Sequence, residues 1–163
     1  MAVSIFLKLE GPPVEGESVV DGHQKEIDVL GWSWGMNQSG SMHVATGGGS
    51  GKVSVQDIHI SKRVDKSTPV LTKFCCSGQH FSKGTLTVLK AGGDKPVEYL
   101  SITMDNVLIS SYTTGGSGGD DTISESISLN FAKYKLVYKP QTDTGVEAPG
   151  IEQTWDIAVN KPF

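Results

Sequence analysis

The sequence is short of every pattern that would tie it to a membrane, a nucleic acid or an oxidising compartment. It has 2 cysteines, and they are neighbours, Cys75 and Cys76. Side chains of adjacent residues diverge, so a bridge between them would be strained, and reduced thiols of the cytosolic kind are expected. A cationic excess is also missing: 14 Lys and Arg face 18 Asp and Glu, for a net charge of −4. Nucleic acids and anionic bilayers both demand basic surface, so neither is an expected partner and no membrane insertion is expected. The opening MAVSIFLKLEG has no basic n-region and breaks its apolar character at Lys8 and Glu10. It therefore fits neither a signal peptide nor a span, and export, if any, is expected outside the general route. The glycosylation pattern Asn37-Gln38-Ser39 then means little, because it needs a secretory compartment.

What the chain has instead is glycine and alternation. It holds 20 glycines in 163 residues. That length predicts a single domain over 1–163, large enough to bury roughly 70% of the surface its unfolded form exposes. The organising stretch is EIDVLGWSWGMNQSGSMHVATGGGSGK, residues 26–52. Read as one strand, it places Leu30, Trp32 and Trp34 on one face and Gly31, Ser33 and Gly35 on the other, because successive side chains alternate. The first face is a core anchor; the bare one suits close approach by another backbone, or a smooth, weakly sticky surface. The loop that follows, residues 38–51, is longer than most connections, and long ordered loops are usually functional. Met42 and Val44 are apolar residues inside it, which marks the loop as a docking segment, expected to meet another copy of the chain.

Taken in order, Val3, Ile5, Leu7 and Leu9 share a face and predict a half-buried strand that Gly11-Pro12-Pro13 ends. Residues 52–62 begin with Val53 and Val55 in phase and finish with Ile58 and Ile60 in the opposite phase, a bend or bulge near Gln56 and Asp57 of the kind that curves sheets into barrels. One helix is expected at about residues 67–78. Ser67-Thr68-Pro69 supplies a cap and an early proline, Gly78 a stop, and Val70, Leu71, Phe74 and Cys75 one apolar face. Residues 83–90 and 97–110 read as strands joined through Ala91-Gly92-Gly93-Asp94, with a second bend between Met104 and Val107. In residues 122–132, Ile123, Ile127, Leu129 and Phe131 oppose Ser124, Ser126, Ser128 and Asn130. Tyr134, Leu136 and Tyr138 then alternate with lysines, and Trp155, Ile157 and Val159 close the chain. The fold class is mainly β: a small closed or nearly closed β-barrel with one flanking helix, closure removing edges that invite aggregation.

Sites of chemistry are faint. Gly47-Gly48-Gly49-Ser50-Gly51-Lys52 departs from a phosphate loop at Thr46 and Val53 and continues as a strand, whereas phosphate loops open a helix. Cys75, Cys76 and His80 lack a third and fourth partner at zinc spacing, and two small buried helix residues explain the cysteines. Asp120-Asp121 lacks the rest of a calcium cage. No residue is marked as a nucleophile, and neither a metal nor another cofactor is expected. Trp32 and Trp34 read as core rather than as a ligand platform, given the apolar area they bring.

Several stretches together resemble the haemolysin-coregulated proteins (Hcp) of bacterial type VI secretion systems. They are Glu26 to Gly35 (EIDVLGWSWG), QSGSMH with its glycine tract, Val55-Gln56-Asp57 and Asp65-Lys66-Ser67-Thr68-Pro69. Lys90-Ala91-Gly92-Gly93, Val97-Glu98-Tyr99-Leu100, Ser117-Gly118-Gly119 and Leu129-Asn130-Phe131-Ala132 complete the set, in order and almost end to end. The departures fall in the loops 11–24 and 142–151.

The resemblance implies a phage-tail-tube-like barrel assembled as a homohexameric ring. Rings of that family stack into a tube that a contractile sheath propels behind a spike, and some rings carry effector proteins. It implies a structural protein rather than an enzyme, held in the bacterial cytoplasm before assembly and secreted by the type VI route without a signal peptide. A ring acting chiefly as effector receptor or chaperone is the alternative; a secreted enzyme is disfavoured because no catalytic domain is expected after the last strand. Gln38, Ser39, Gly40, Ser41, Met42, His43, Val44 and the Gly47, Gly48, Gly49 tract are expected at contacts between protomers or stacked rings. Ser33, Ser124, Ser126, Ser128 and Asn130 are expected to face the lumen and any effector within it.

Overall fold

A computed structural model describes residues 3–43, 51–91, 95–141 and 148–163. The elements run β1 (Val3–Glu10), β2 (Ile27–Val29), β3 (Gly31–Ser33), β4 (Met36–Asn37), β5 (Ser54–Val55) and β6 (Ile58–Arg63), then α1 (Thr68–Ser77). After the helix come β7 (His80–Lys90), β8 (Val97–Gly115), β9 (Ser124–Asn130), β10 (Lys133–Tyr138) and β11 (Ile151–Asp156). The main sheet is antiparallel, in the order β2-β1-β7-β8-β9-β6-β3, with β10 and β11 branching from β8. Its two terminal strands are consecutive in the chain, so residues 27–33 span the gap between its ends. The ladder is open, and the barrel is nearly closed by one stretch of backbone.

That seam corrects the expectation of a single strand there. Ile27 and Val29 are buried, Leu30 is half exposed, and Trp32 and Trp34 pack against the core. The alternation slips by one residue at Leu30 because the ladder changes partners: β2 pairs with β1, β3 pairs with β6, and Leu30 N–H donates to the Ser61 carbonyl at 2.7 Å. Leu30 thus points away from the core that the tryptophans join.

The two phase changes expected elsewhere are present. Gln56 and Asp57 separate β5 from β6. In β8, Asn106 adopts φ 55, a left-handed conformation asparagine tolerates better than most residues, and Met104 and Val107 are therefore both fully buried. Beyond it, a register shift between Ile109 and Ser111 makes a bulge. β8 serves β7 and β10 with its first half and β9 with its second.

The helix runs where its signals place it. Gly78 closes it at φ 70 with its N–H on the Phe74 carbonyl, while Leu71 and Phe74 are buried, Phe74 stacking on Phe81 at 4.4 Å. Ser67 is not a side-chain cap. Asp65 takes that part, its Oδ1 accepting from the Ser67 N–H at 2.9 Å and from the Ser67 hydroxyl. Cys75 is half-buried but Cys76 is exposed, so only one of the pair packs inward.

Two further expectations change. Ile123 is half exposed just before β9, and Val159 is exposed in the turn that follows β11 rather than continuing it. On the far side of β1, Phe6 is buried because the loop before β2 folds over it. His23 stacks on its ring at 4.6 Å and meets Glu26 at 2.9 Å. The centre of the hairpin turn, residues 92–94, and Val44, Gly47, Gly48 and Gly49 lie outside the described residues.

Candidate functional site

Strands β3, β6, β9 and the second half of β8 lie side by side, and their outward face is almost free of bulk. Its rungs read Ser33, His59, Ser128, Ser111 and, one step along, Gly31, Ser61, Ser126, Thr113. Ile58, Ile60, Ile127 and Leu129 of the same strands are buried in the core, as strand alternation requires. The structure therefore brings four expected residues, Ser33, Ser124, Ser126 and Ser128, onto one surface with contributions from four strands. Asn130 joins them at the edge, where its Nδ2 donates to Asp57 at 2.7 Å.

The face is wired rather than merely small. Ser111 donates to Ser128 at 2.7 Å, and Ser128 meets His59 Nδ1 at 2.6 Å. The bulge in β8 leaves both Ser110 and Ser111 bonded outward, Ser110 donating to Asp57 at 2.6 Å. Ser128 is buried beneath this network, while Ser33, Ser124, Ser126 and Asn130 are exposed. Between the rungs sits a hollow of about 290 Å³ lined by Gly31, Trp32, Ser33, His59, Ser61, Ser126 and Ser128 among others. Gly31 helps keep it open, since a Cβ there would come within 3.3 Å of the Ser61 hydroxyl.

One rung away, on the inner face, the same strands hold charge. Lys62 and Glu125 are both fully buried and paired directly. Lys62 also reaches Asp65 at 2.9 Å, and Glu125 accepts from Thr68 at 2.8 Å and from Tyr112 at 2.6 Å. Burial, and then the bond to Glu125, push the Tyr112 phenol above its ordinary range. A buried pair survives only when remaining lone pairs and protons are satisfied, and here they tie β6, β8, β9 and the start of α1 together. Sequence reasoning missed this pair. Its signal was present: Lys62 falls in the phase of Ile58 and Ile60, and Glu125 in that of Ile127 and Leu129.

At the other end of those strands, a groove of about 600 Å³ is lined by Leu30, Val64 and Ile123 and rimmed by Glu17, Asp28, Asp65, Asp120 and Asp121, with Arg63 as the cation. Partial burial and the neighbouring Asp65 hold the Asp28 carboxyl above its usual range against the pull of Arg63. The loop segment from Gln38 to His43 lies mostly in the open, with Met42 83% exposed. Among the described residues no group of three or more His, Cys, Asp or Glu is placed to hold a metal. No helix there is long and apolar enough to cross a membrane.

Comparison with known proteins gives this surface a setting. The sequence model of the family described as "Type VI secretion system effector, Hcp" matches residues 6–138. Protein hcp1 of Pseudomonas aeruginosa is 51% identical over 161 residues, 98% of each chain. Among solved structures, one described as a type six secretion system protein superposes with a TM-score of 0.92 at 30% identity, covering 99% of this chain and 100% of its own. Hcp1 from Salmonella typhimurium superposes at 0.80 with 34% identity over 100% of both. With its sequence matched nearly end to end and its overall fold shared with solved relatives, the chain belongs to the Hcp family of type VI secretion proteins.

Proposed function

We propose that the chain is the structural subunit of a type VI inner tube, forming hexameric rings whose lumen is lined by the outward face of β3, β6, β9 and the end of β8. The observation that carries the lumen assignment is that face itself: four strands wide, lined chiefly by hydroxyls and glycine around His59, with Asp57 held by Ser110 and Asn130 and Arg63 at the far end of β6. A conduit wall should be wettable and carry little charge, so that a passenger is held weakly and released. The protein is structural and not an enzyme, like its relatives.

On this assignment the rings stack behind a spike and within a contractile sheath, take effector proteins into the pore, and leave the bacterial cytoplasm by the type VI route. The segment Gln38, Ser39, Gly40, Ser41, Met42 and His43, continued by Val44 and Gly47, Gly48 and Gly49, is assigned to contacts between rings or neighbouring protomers. Support comes from Met42, whose 83% exposure leaves an apolar side chain in water unless a partner covers it. Head-to-tail contacts of this kind close into rings or continue as filaments.

Light scattering of the purified protein tests the ring: a mass about six times 17.4 kDa is expected, and a persistent monomer overturns it. Ser33→Trp tests the lumen. Intact rings with weakened passenger capture are expected, whereas loss of the ring would move Ser33 to a protomer interface. Deleting residues 41–48 should spare rings and abolish stacking.

A further inference from the structure

Resting on that lumen assignment, we propose that His59 makes the hollow beside it a binding subsite for a carboxylate of the passenger, an acidic side chain or a terminal carboxyl, engaged when the imidazole is protonated. Three features carry it.

The first is the position of the ring. His59 lines the hollow in the middle of the face, with Ser33 opposite it on β3 and Ser128 opposite it on β9. At about 290 Å³ the hollow has room for a single side chain, not a small folded body. The exposed hydroxyls of Ser33 and Ser126 border the same space, so a carboxylate there would meet hydroxyl donors as well as the ring.

The second is the hydroxyl relay under the ring. Ser111 donates to Ser128, leaving the Ser128 proton for His59 Nδ1; the neutral ring then carries its proton on Nε2. On protonation the lower bond reverses, Nδ1–H donating to the Ser128 oxygen, and Nε2–H stays a donor. The imidazole can thus gain a charge without moving, and an ionised Nε2–H bonds a carboxylate about twice as strongly as a neutral one would.

The third is the surrounding charge. No titratable group faces His59 from β3, which offers Gly31 and Ser33, from β9, which offers Ser124, Ser126, Ser128 and Asn130, or from β8, which offers Ser110, Ser111 and Thr113. On its own strand's side stand Asp57, bonded to Ser110 and Asn130, and Arg63, which lies by Asp28. Histidine is the side chain whose ordinary titration falls between about pH 5 and 8. Protonation of His59 would therefore add one cation at the centre of the wall in each subunit, and repeated around a ring the sites would act together on one passenger.

The test uses fluorescein-labelled hexaglutamate and, as a neutral control, hexaglutamine, measured by fluorescence anisotropy on ring fractions at about pH 8 and about pH 5.5. Hexaglutamate should bind at least tenfold more tightly at the lower pH, about the effect of one strengthened charge-assisted bond, with no step for hexaglutamine. His59→Gln should abolish the step. His59→Lys, charged at both pH values, should bind hexaglutamate at both. Equal affinity at the two pH values in the wild-type ring, or a step that survives His59→Gln, overturns the proposal. Rings that assemble but show no His59-dependent step would sink this subsite and leave the tube assignment standing. A His59-dependent step in monomer fractions, with no ring found, would keep the subsite and remove the lumen.

Discussion

Two adjacent rungs of one strand pair make opposite use of the same backbone. Ser61 faces Ser126 on the outer surface, and the next rung sets Lys62 against Glu125 at full burial inside. The outer pair makes only a long bond from the Ser61 hydroxyl to the Gly31 carbonyl, whereas the inner pair obliges Asp65, Thr68 and Tyr112 to complete it. Charge is thus placed where one arrangement of strands and helix must be chosen over others, and is absent from the outer Ser61–Ser126 rung. Packing alone would let α1 settle against the sheet in several ways, because apolar contact is not directional; an ion pair with fixed donors admits one.

The largest expected effect breaks the inner rung. Lys62→Met strands Glu125 without its cation, and removal of one partner from a buried pair typically costs about 3–5 kcal/mol. Urea unfolding should show that loss, and Lys62→Met with Glu125→Leu should recover most of it; a single variant within about 1 kcal/mol of wild type would mean the pair pins nothing. Tyr112→Phe is gentler, removing one donor from Glu125 for about 1–2 kcal/mol, with the barrel otherwise intact. On the outer rung, Ser61→Ala with Ser126→Ala should alter stability by no more than about 0.5 kcal/mol and leave ring mass unchanged.

A half-buried carboxylate near the end of the chain sharpens the contrast from the other side. Asp156 is held below its usual range, first by the Val159 N–H, with Lys133 and the Ala158 N–H adding to it. A depressed carboxylate stabilises above its unfolded titration range, and that contribution is lost as pH falls through the folded value. Amide exchange at Ala158 and Val159 should therefore quicken, relative to Asp156→Asn, only toward acid pH. The effect should stay within the terminal turn, unlike any change at Glu125.

Much of this is legible in the sequence. The helix announced itself through Pro69 and Gly78, the bends through the slipped phases at Gln56 and Asn106, and the outer face through Ser124, Ser126 and Ser128. Leu30 did not, because its neighbours 27–35 continue to look like one strand; only the switch of pairing from β1 to β6 turns its side chain outward. Lys62 and Glu125 were overlooked for a related reason. Each alone is an ordinary strand residue, and their pairing spans more than sixty positions.

The sequence by itself determined where most strands lie, which residues are apolar on each and that one helix interrupts them, because those follow from local periodicity and from the steric habits of proline and glycine. It also determined the family. Register and closure were left to tertiary structure: that Ser33, His59, Ser128 and Ser111 share one rung, that residues 27–33 bridge the barrel's open seam, and that a lysine is worth burying at position 62. These depend on contacts between segments far apart in the chain, where a shift of one residue would send each side chain to the opposite face.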